Sequence, residues 1–228
     1  MLSTNDLRVS YGMSEVIHGI SLTVGENETL AIMGRNGMGK TTLFKSLIGI
    51  LPAQGSIAMQ GNNITGDKAY QRVRKGIAYV PQGRMVFPTL TVEENIATGL
   101  EATGKKKIPN DIYELFPVLH DMRHRKAGNL SGGQQQQMVI GRALAADPKV
   151  LLLDEPTEGI QPSIIKQLAK TLNEIKQLRG LSIVVSEQVL SFAMAVADRV
   201  MVIEKGQIVH EEDGKSADQK KIASYLAV

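Results

Sequence analysis

The chain of 228 residues has no cysteine and no tryptophan, and aromatic residues make up only 4% of it. Without cysteine there is no disulfide framework, a composition that suits a reducing cytosol. So few flat rings argue against a stacking surface for single-stranded nucleic acid. No apolar run approaches the roughly 20 residues that a membrane span needs. The opening "MLSTNDLRVSYG" lacks the charged start and continuous apolar core of a signal peptide. If the protein works at a membrane, another chain must do the crossing. The formal net charge of +3 is too small to point to a polyanionic partner. Two basic runs, "GKKK" at 104–107 and "RHRK" at 123–126, lie in polar surroundings and read as solvated surface. The four histidines, His18, His120, His124 and His210, have no ligand spacing, so no transition-metal site is expected.

What is present is an ordinary globular composition, 43% hydrophobic and 21% charged, in a chain long enough to bury one substantial core. Short apolar strands alternate with longer helical patterns, the order of a parallel sheet covered by helices, an α/β fold. "TLAIM" at 29–33 reads as a buried strand; a glycine-rich turn follows, then "TTLFKSLIGI", where Leu43, Leu47 and Ile50 recur at helical spacing. "KVLLLD" (149–154) and "LSIVVS" (181–186) read as two more core strands, and "VMVIEKGQIVHE" (200–211) as a hairpin turning at Lys205 and Gly206. Residues 88–146 hold few β-branched runs and read as a mostly helical lobe inserted into the sheet domain. The expectation is one functional unit, 1–228, with a core from 1–87 and 147–228 and a helical subdomain at 88–146.

The turn "GRNGMGKT" at 34–41 fits the phosphate-loop pattern G-x-x-x-x-G-K-[ST] without substitution, between a strand and a helix as that motif requires. Gly37 and Gly39 let backbone N–H groups point inward, the helix adds its positive dipole end, and Lys40 supplies a point charge for the β- and γ-phosphates. Gly34, Arg35, Asn36, Met38 and Thr42 complete the expected cradle, and Thr41 offers a hydroxyl to Mg²⁺. Asp154, at the end of "VLLLD", is placed to hold Mg²⁺ through water, and Glu155 to polarise an attacking water. Taken alone, such a pair equally reads as helix capping.

"LSGGQ" at 130–134, upstream of those carboxylates, resembles the signature motif of the ATP-binding cassette (ABC) family, and the likeness extends over essentially the whole chain. It implies a P-loop core with an antiparallel β subdomain and an inserted helical subdomain, and it implies ATP hydrolysis with Mg²⁺. Ser131, Gly132, Gly133 and Gln134 then serve the nucleotide of a neighbouring subunit. Tyr11 in "VSYG" sits where family members stack a ring on adenine, although a tyrosine in a strand is also read as core. Gln82 matches the glutamine that meets Mg²⁺ and the attacking water. Val86, Phe87 and Leu90 resemble the border of the groove where a membrane subunit docks, or else they are lobe core.

Two positions depart from the family pattern. Gln188 in "VVSEQ" replaces the histidine that touches the γ-phosphate, and Glu158, Gly159, Ile160 and Gln161 replace Ser-Ala-Leu-Asp, so the aspartate that crosses the dimer interface is missing. Hydrolysis at this site would rest mainly on Glu155. A glutamine at 188 is a habit of one ATPase in importers of branched-chain amino acids and related solutes; "LSGGQQQQ" and "DEPTEGIQPSII" resemble the urea-transporting branch of that group. The resemblance implies a peripheral subunit at the cytoplasmic face of the inner membrane. Its expected partners are polytopic permease subunits, a second and different cassette, and an external solute-binding protein, with no nucleic acid. Branched-chain amino acids or short amides are the alternative cargo. A soluble ABC ATPase would carry two cassettes or a long coiled insertion; a kinase or GTPase on the same loop would lack "LSGGQ".

Overall fold

Alternation of side chains along the strands divides the interior into two cores. The computed structural model describes residues 1–214 and 216–227. Its larger sheet has six strands: β3 (Thr29–Met33), β6 (Ile77–Val80), β7 (Val150–Asp154), β8 (Ser182–Glu187), β9 (Arg199–Glu204) and β10 (Gln207–Asp213). Their spatial order is β10-β9-β3-β8-β7-β6, parallel except where β10 returns along β9. Leu30 and Ile32 of β3 turn to one core and Ala31 and Met33 to the other, and Val150/Leu152 and Leu151/Leu153 of β7 divide the same way. A strand covered on both faces must be apolar throughout, which is why these segments read as continuous runs. The hairpin turn falls at Lys205 and Gly206, both with positive φ.

On one face lie α1 (Lys40–Ile48) and a smaller antiparallel sheet of β1 (Leu2–Tyr11), β2 (Ser14–Val24), β4 (Gln54–Met59) and β5 (Asn62–Asn63), in the order β2-β1-β4-β5. Leu43, Phe44 and Leu47 of α1 pack with Leu7, Ile17 and Ile57 of that sheet. The helix ends at Gly49, so Ile50, expected on its apolar stripe, lies beyond it and is exposed; the buried guanidinium of Arg72, in α2 (Ala69–Arg74), donates to the carbonyls of Ser46 at 2.7 Å and Leu47 at 2.9 Å. A cation suits the negative end of a helix dipole, although burial lowers the Arg72 pKa from its ordinary value.

The other face carries α7 (Pro162–Arg179), α8 (Leu190–Val196) and the helical stretch α3 (Val92–Ala97), α4 (Asn110–Leu115), α5 (Pro117–Asp121) and α6 (Gly132–Ala145); α9 (Gln219–Leu226) packs on α8. Val92, Ile96, Ile112, Phe116 and Leu119 share one core with Met138, Ile140 and Leu144 of α6 and with Leu151 and Leu153 of the sheet. The helical stretch is thus tied to the sheet domain by a continuous apolar interior.

The four glutamines at 134–137 are divided among three tasks. Gln134 forms a reciprocal cap with Ser131, the Gln135 amide donates to the Ala127 carbonyl at 3.1 Å, and Gln136 and Gln137 are buried. A second polar anchor, Asn95, is fully buried in α3. Its side-chain oxygen accepts from the Phe87 N–H at 2.9 Å, and its amide donates to the carbonyls of Phe87 (3.0 Å) and Thr91 (2.8 Å). Asn95→Ala would leave the Phe87 N–H without its acceptor and take one donor from each carbonyl, which the N–H groups of Leu90 and residue 95 still serve, at a cost of about 1–3 kcal/mol for the unsatisfied group. Urea denaturation of the variant is therefore expected to show a lower midpoint with an unchanged slope.

Candidate nucleotide site

Parallel strands end together, and here the carboxyl ends of β3, β8 and β7 bring three functional segments to one edge. Met33 pairs with Glu187, and Asp154 with Ser186. Beyond Met33 the chain turns through Gly34–Gly39 into α1. At Gly34 a Cβ would lie 2.7 Å from the Ile203 carbonyl oxygen, so β9 leaves room only for hydrogen there. Gly39 has φ 103°, and a Cβ on it would meet Ile17 at 2.9 Å. The loop, with Val16, Gln82 and Glu155, encloses a cleft of about 160 Å³ lined by Asn36, Gly37, Gly39, Lys40, Thr41 and Thr42. Sites that enclose a whole small molecule run from roughly 300 to 1,000 Å³. The cleft therefore suits a phosphate chain, with base and sugar lying outside it.

Lys40 is buried, and its Nζ donates to the carbonyls of Gly34 (2.7 Å) and Arg35 (3.0 Å) while pairing with Glu155 Oε1 at 3.0 Å. A buried ammonium needs such compensation. The other Glu155 oxygen accepts from Gln188 at 3.1 Å and faces the Gln82 amide at 3.4 Å, and Gln188 also donates to Asn36 at 2.8 Å. Glu155 is non-glycine at φ 47°, a left-handed conformation that costs free energy and is held by its N–H bonds to the backbone carbonyl and hydroxyl of Ser186, both 3.1 Å. Asp154 is 1% exposed; one oxygen accepts the Ser186 hydroxyl at 2.6 Å and the other the Tyr79 hydroxyl at 3.1 Å. Burial, and secondarily the charge of Asp154, raises the Tyr79 pKa far above its ordinary value, so the phenol remains a donor.

Gln82, Gln188, Lys40 and Glu155 thus converge on one cleft beside Asp154, and Thr41 lines it. The signature residues Ser131, Gly132, Gly133 and Gln134 do not line it; they form the first turn of α6, where a Cβ on Gly133 would meet Ile164 of α7 at 2.8 Å. Tyr11 stands at the end of β1, 48% exposed, and is surface rather than core. Phe87 is equally exposed, its ring 5.4 Å from the Arg142 guanidinium carbon. Sequence reasoning passed over Tyr79, Ser186 and Glu187, although a carboxylate closing the apolar run "LSIVVSE" carries the same signal as Asp154 closing "VLLLD".

Residues 17–158 match the ABC transporter family. Over 218 residues the chain is 40% identical to the high-affinity branched-chain amino acid transport ATP-binding protein BraG of Pseudomonas aeruginosa, covering 94% of this chain and 93% of that one. The chain belongs to the ABC transporter family. The lipopolysaccharide export system ATP-binding protein LptB of Haemophilus influenzae is 32% identical over 92% of this chain and 89% of its own length. A nucleotide-free ATP-binding cassette from an ABC transporter superposes with a TM-score of 0.86 at 29% identity, covering 98% of this chain and 95% of the other. An ABC transporter cassette in its ADP conformation gives a TM-score of 0.81 at 29% identity, with 99% and 94% covered. The expected ABC ATPase fold is borne out, and the protein is an ATP-binding ATPase coupled to transport. No described helix is long and apolar enough to cross a membrane.

Within this cassette Gln188 already touches both Asn36 and Glu155. As a neutral donor it supplies less charge than the family's histidine. Gln188→His is therefore expected to preserve ATP binding and to keep or raise ATPase activity, measured in the assembled transporter with the second cassette's site silenced. A fall beyond about tenfold, some 1.4 kcal/mol of barrier, would mean that the glutamine has a role histidine cannot fill.

Proposed function

We propose that the chain powers a solute importer by hydrolysing ATP in the cleft around Lys40, with Glu155 as the general base that orients water for in-line attack on the γ-phosphate. The convergence of Lys40, Gln82 and Gln188 on the Glu155 carboxylate carries this reading. Entering phosphates take over Lys40 as its anionic partners, which releases a Glu155 oxygen for water. Gln188 donates to the γ-phosphate as a neutral sensor, the P-loop amides from Gly34 to Thr42 cradle the chain, and Tyr11 stacks on adenine from outside the cleft. The donors available to Mg²⁺, the Thr41 hydroxyl, the Gln82 amide oxygen and Asp154 through water, are the hard oxygens that this ion takes. Bound there, Mg²⁺ would neutralise charge on the β- and γ-phosphates.

Ser131, Gly132, Gly133 and Gln134 face the nucleotide of a second cassette, and closure of the pair moves the helical subdomain at 88–146 against the core at 1–87 and 147–228. The departures at Gln188 and Gln161 favour a different cassette as partner over a second copy. A groove of about 490 Å³ between the sheet domain and the helices, lined by residues that include Tyr70, Arg74, Thr98, Glu101 and Arg142, suits a short helix of a polytopic permease. The exposed Phe87 ring lies against Arg142, which lines that groove. The cassette then works at the cytoplasmic face of the inner membrane, in an importer fed by an external solute-binding protein. Likeness to the Pseudomonas protein favours branched-chain amino acids as cargo, and the motif resemblance favours urea. Uptake of labelled leucine, labelled urea and a labelled short amide by cells lacking this chain separates the cargoes, and loss of none of the three would overturn the import reading.

Glu155→Gln is expected to keep ATP affinity while turnover falls by roughly 10² to 10⁴; a variant that hydrolyses ATP at near wild-type rate removes Glu155 from the role of base. Phe87→Ala is expected to weaken pull-down of the permease by about 2 kcal/mol or more, as for a truncated aromatic anchor, with ATP affinity unchanged. Undiminished pull-down would move the docking surface elsewhere.

A further inference from the structure

Glu187 closes β8 and is 2% exposed, yet it has no ion-pair partner among the described residues. Four neutral donors surround its carboxylate. One oxygen accepts the Thr157 hydroxyl at 2.6 Å and the Thr157 N–H at 3.1 Å; the other accepts the N–H groups of Gln188 at 2.9 Å and Val189 at 3.1 Å. Burial raises the Glu187 pKa, and these bonds act against that shift. Each oxygen therefore grips one segment. Thr157 belongs to the loop that leaves Glu155 and leads to Glu158 and Gly159, where the Glu158 carbonyl accepts from Arg84 at 2.5 Å. Gln188 belongs to the turn whose side chain reaches Asn36 and Glu155. The Glu187 carbonyl also accepts from the Gly34 N–H at 3.3 Å, which ties the same residue to the start of the phosphate loop.

We propose that Glu187 is a positioning residue that makes the loop after Glu155 and the turn at Gln188 move as one body when nucleotide binds. A buried charge held only by dipoles penalises the loss of any donor, so neither segment can leave without the other. A glutamine at 187 has a single acceptor oxygen; its NH₂ would face N–H donors on one side, and one grip would be lost. Glu187 has this part only if Gln188 and Glu155 meet the nucleotide as proposed above.

The test uses the full chain, with hydrogen exchange read on 156–161 and 187–190 with and without ATP and Mg²⁺, beside ATP affinity and steady-state kinetics. In the wild type both segments are expected to change protection together. In Glu187→Gln, kcat is expected to fall at least about tenfold while KM and ATP affinity stay within about threefold, and one segment loses its response while the other keeps it. Thr157→Val, which removes one donor and keeps the carboxylate, is expected to show the same split with a smaller loss, and it carries the test if Glu187→Gln does not fold. Joint response of both segments in either folded variant, or kcat and ATP affinity falling in proportion to the folded fraction, would overturn the proposal. A wild type whose two segments ignore ATP would overturn the reading of the site itself, and the brace with it.

Discussion

The central strands are covered on both faces, and most of the molecule's design follows from that constraint. Every residue of β3 and of β7 is buried. A polar side chain along such a strand would need its own buried partner, so polar chemistry is displaced to the points where the strands stop. Because β3, β8 and β7 are parallel neighbours in register, those points coincide. Asp154, Ser186, Glu187 and the phosphate loop share one edge through backbone pairing, before any side-chain attraction contributes.

That edge gathers charge and strain, and each is held by something ordinary. Lys40 and Glu155 compensate one another, while Arg35 and Gly34 supply carbonyls to the ammonium. Ion pairs so deeply placed contribute little net stability, since desolvation offsets their attraction. Their worth lies in keeping two reactive groups in place until a better anion arrives. The left-handed backbone of Glu155 is sustained in the same way, by a serine on the next strand rather than by any property of glutamate.

Much of this was legible in the sequence because it depended on local pattern. The buried strand at 29–33, the helix after Lys40 and the hairpin at Lys205 and Gly206 each follow from periodicity or turn chemistry over a few residues. The antiparallel sheet was implied only by family resemblance, because β1 and β2 carry bulges that break strict alternation. The cleft was read in outline. Tyr79 and Ser186 were missed because their role comes from pairing between strands far apart in the chain, and Glu187 because the partners of one of its oxygens arrive from Thr157, 30 residues away. The Lys40–Glu155 contact is of the same kind: each residue was assigned to phosphate or water, and only three-dimensional proximity shows them assigned to each other.

The glutamine run has a consequence for how its gene can change. The loss of one of these four glutamines would leave the composition nearly untouched. Helix α6 turns about 100° per residue, so that deletion would swing Met138, Ile140 and Leu144 away from the interior they now fill, with Ser131 still capping the first turn. The length of the run thus sets the register in which the rest of α6 meets the core.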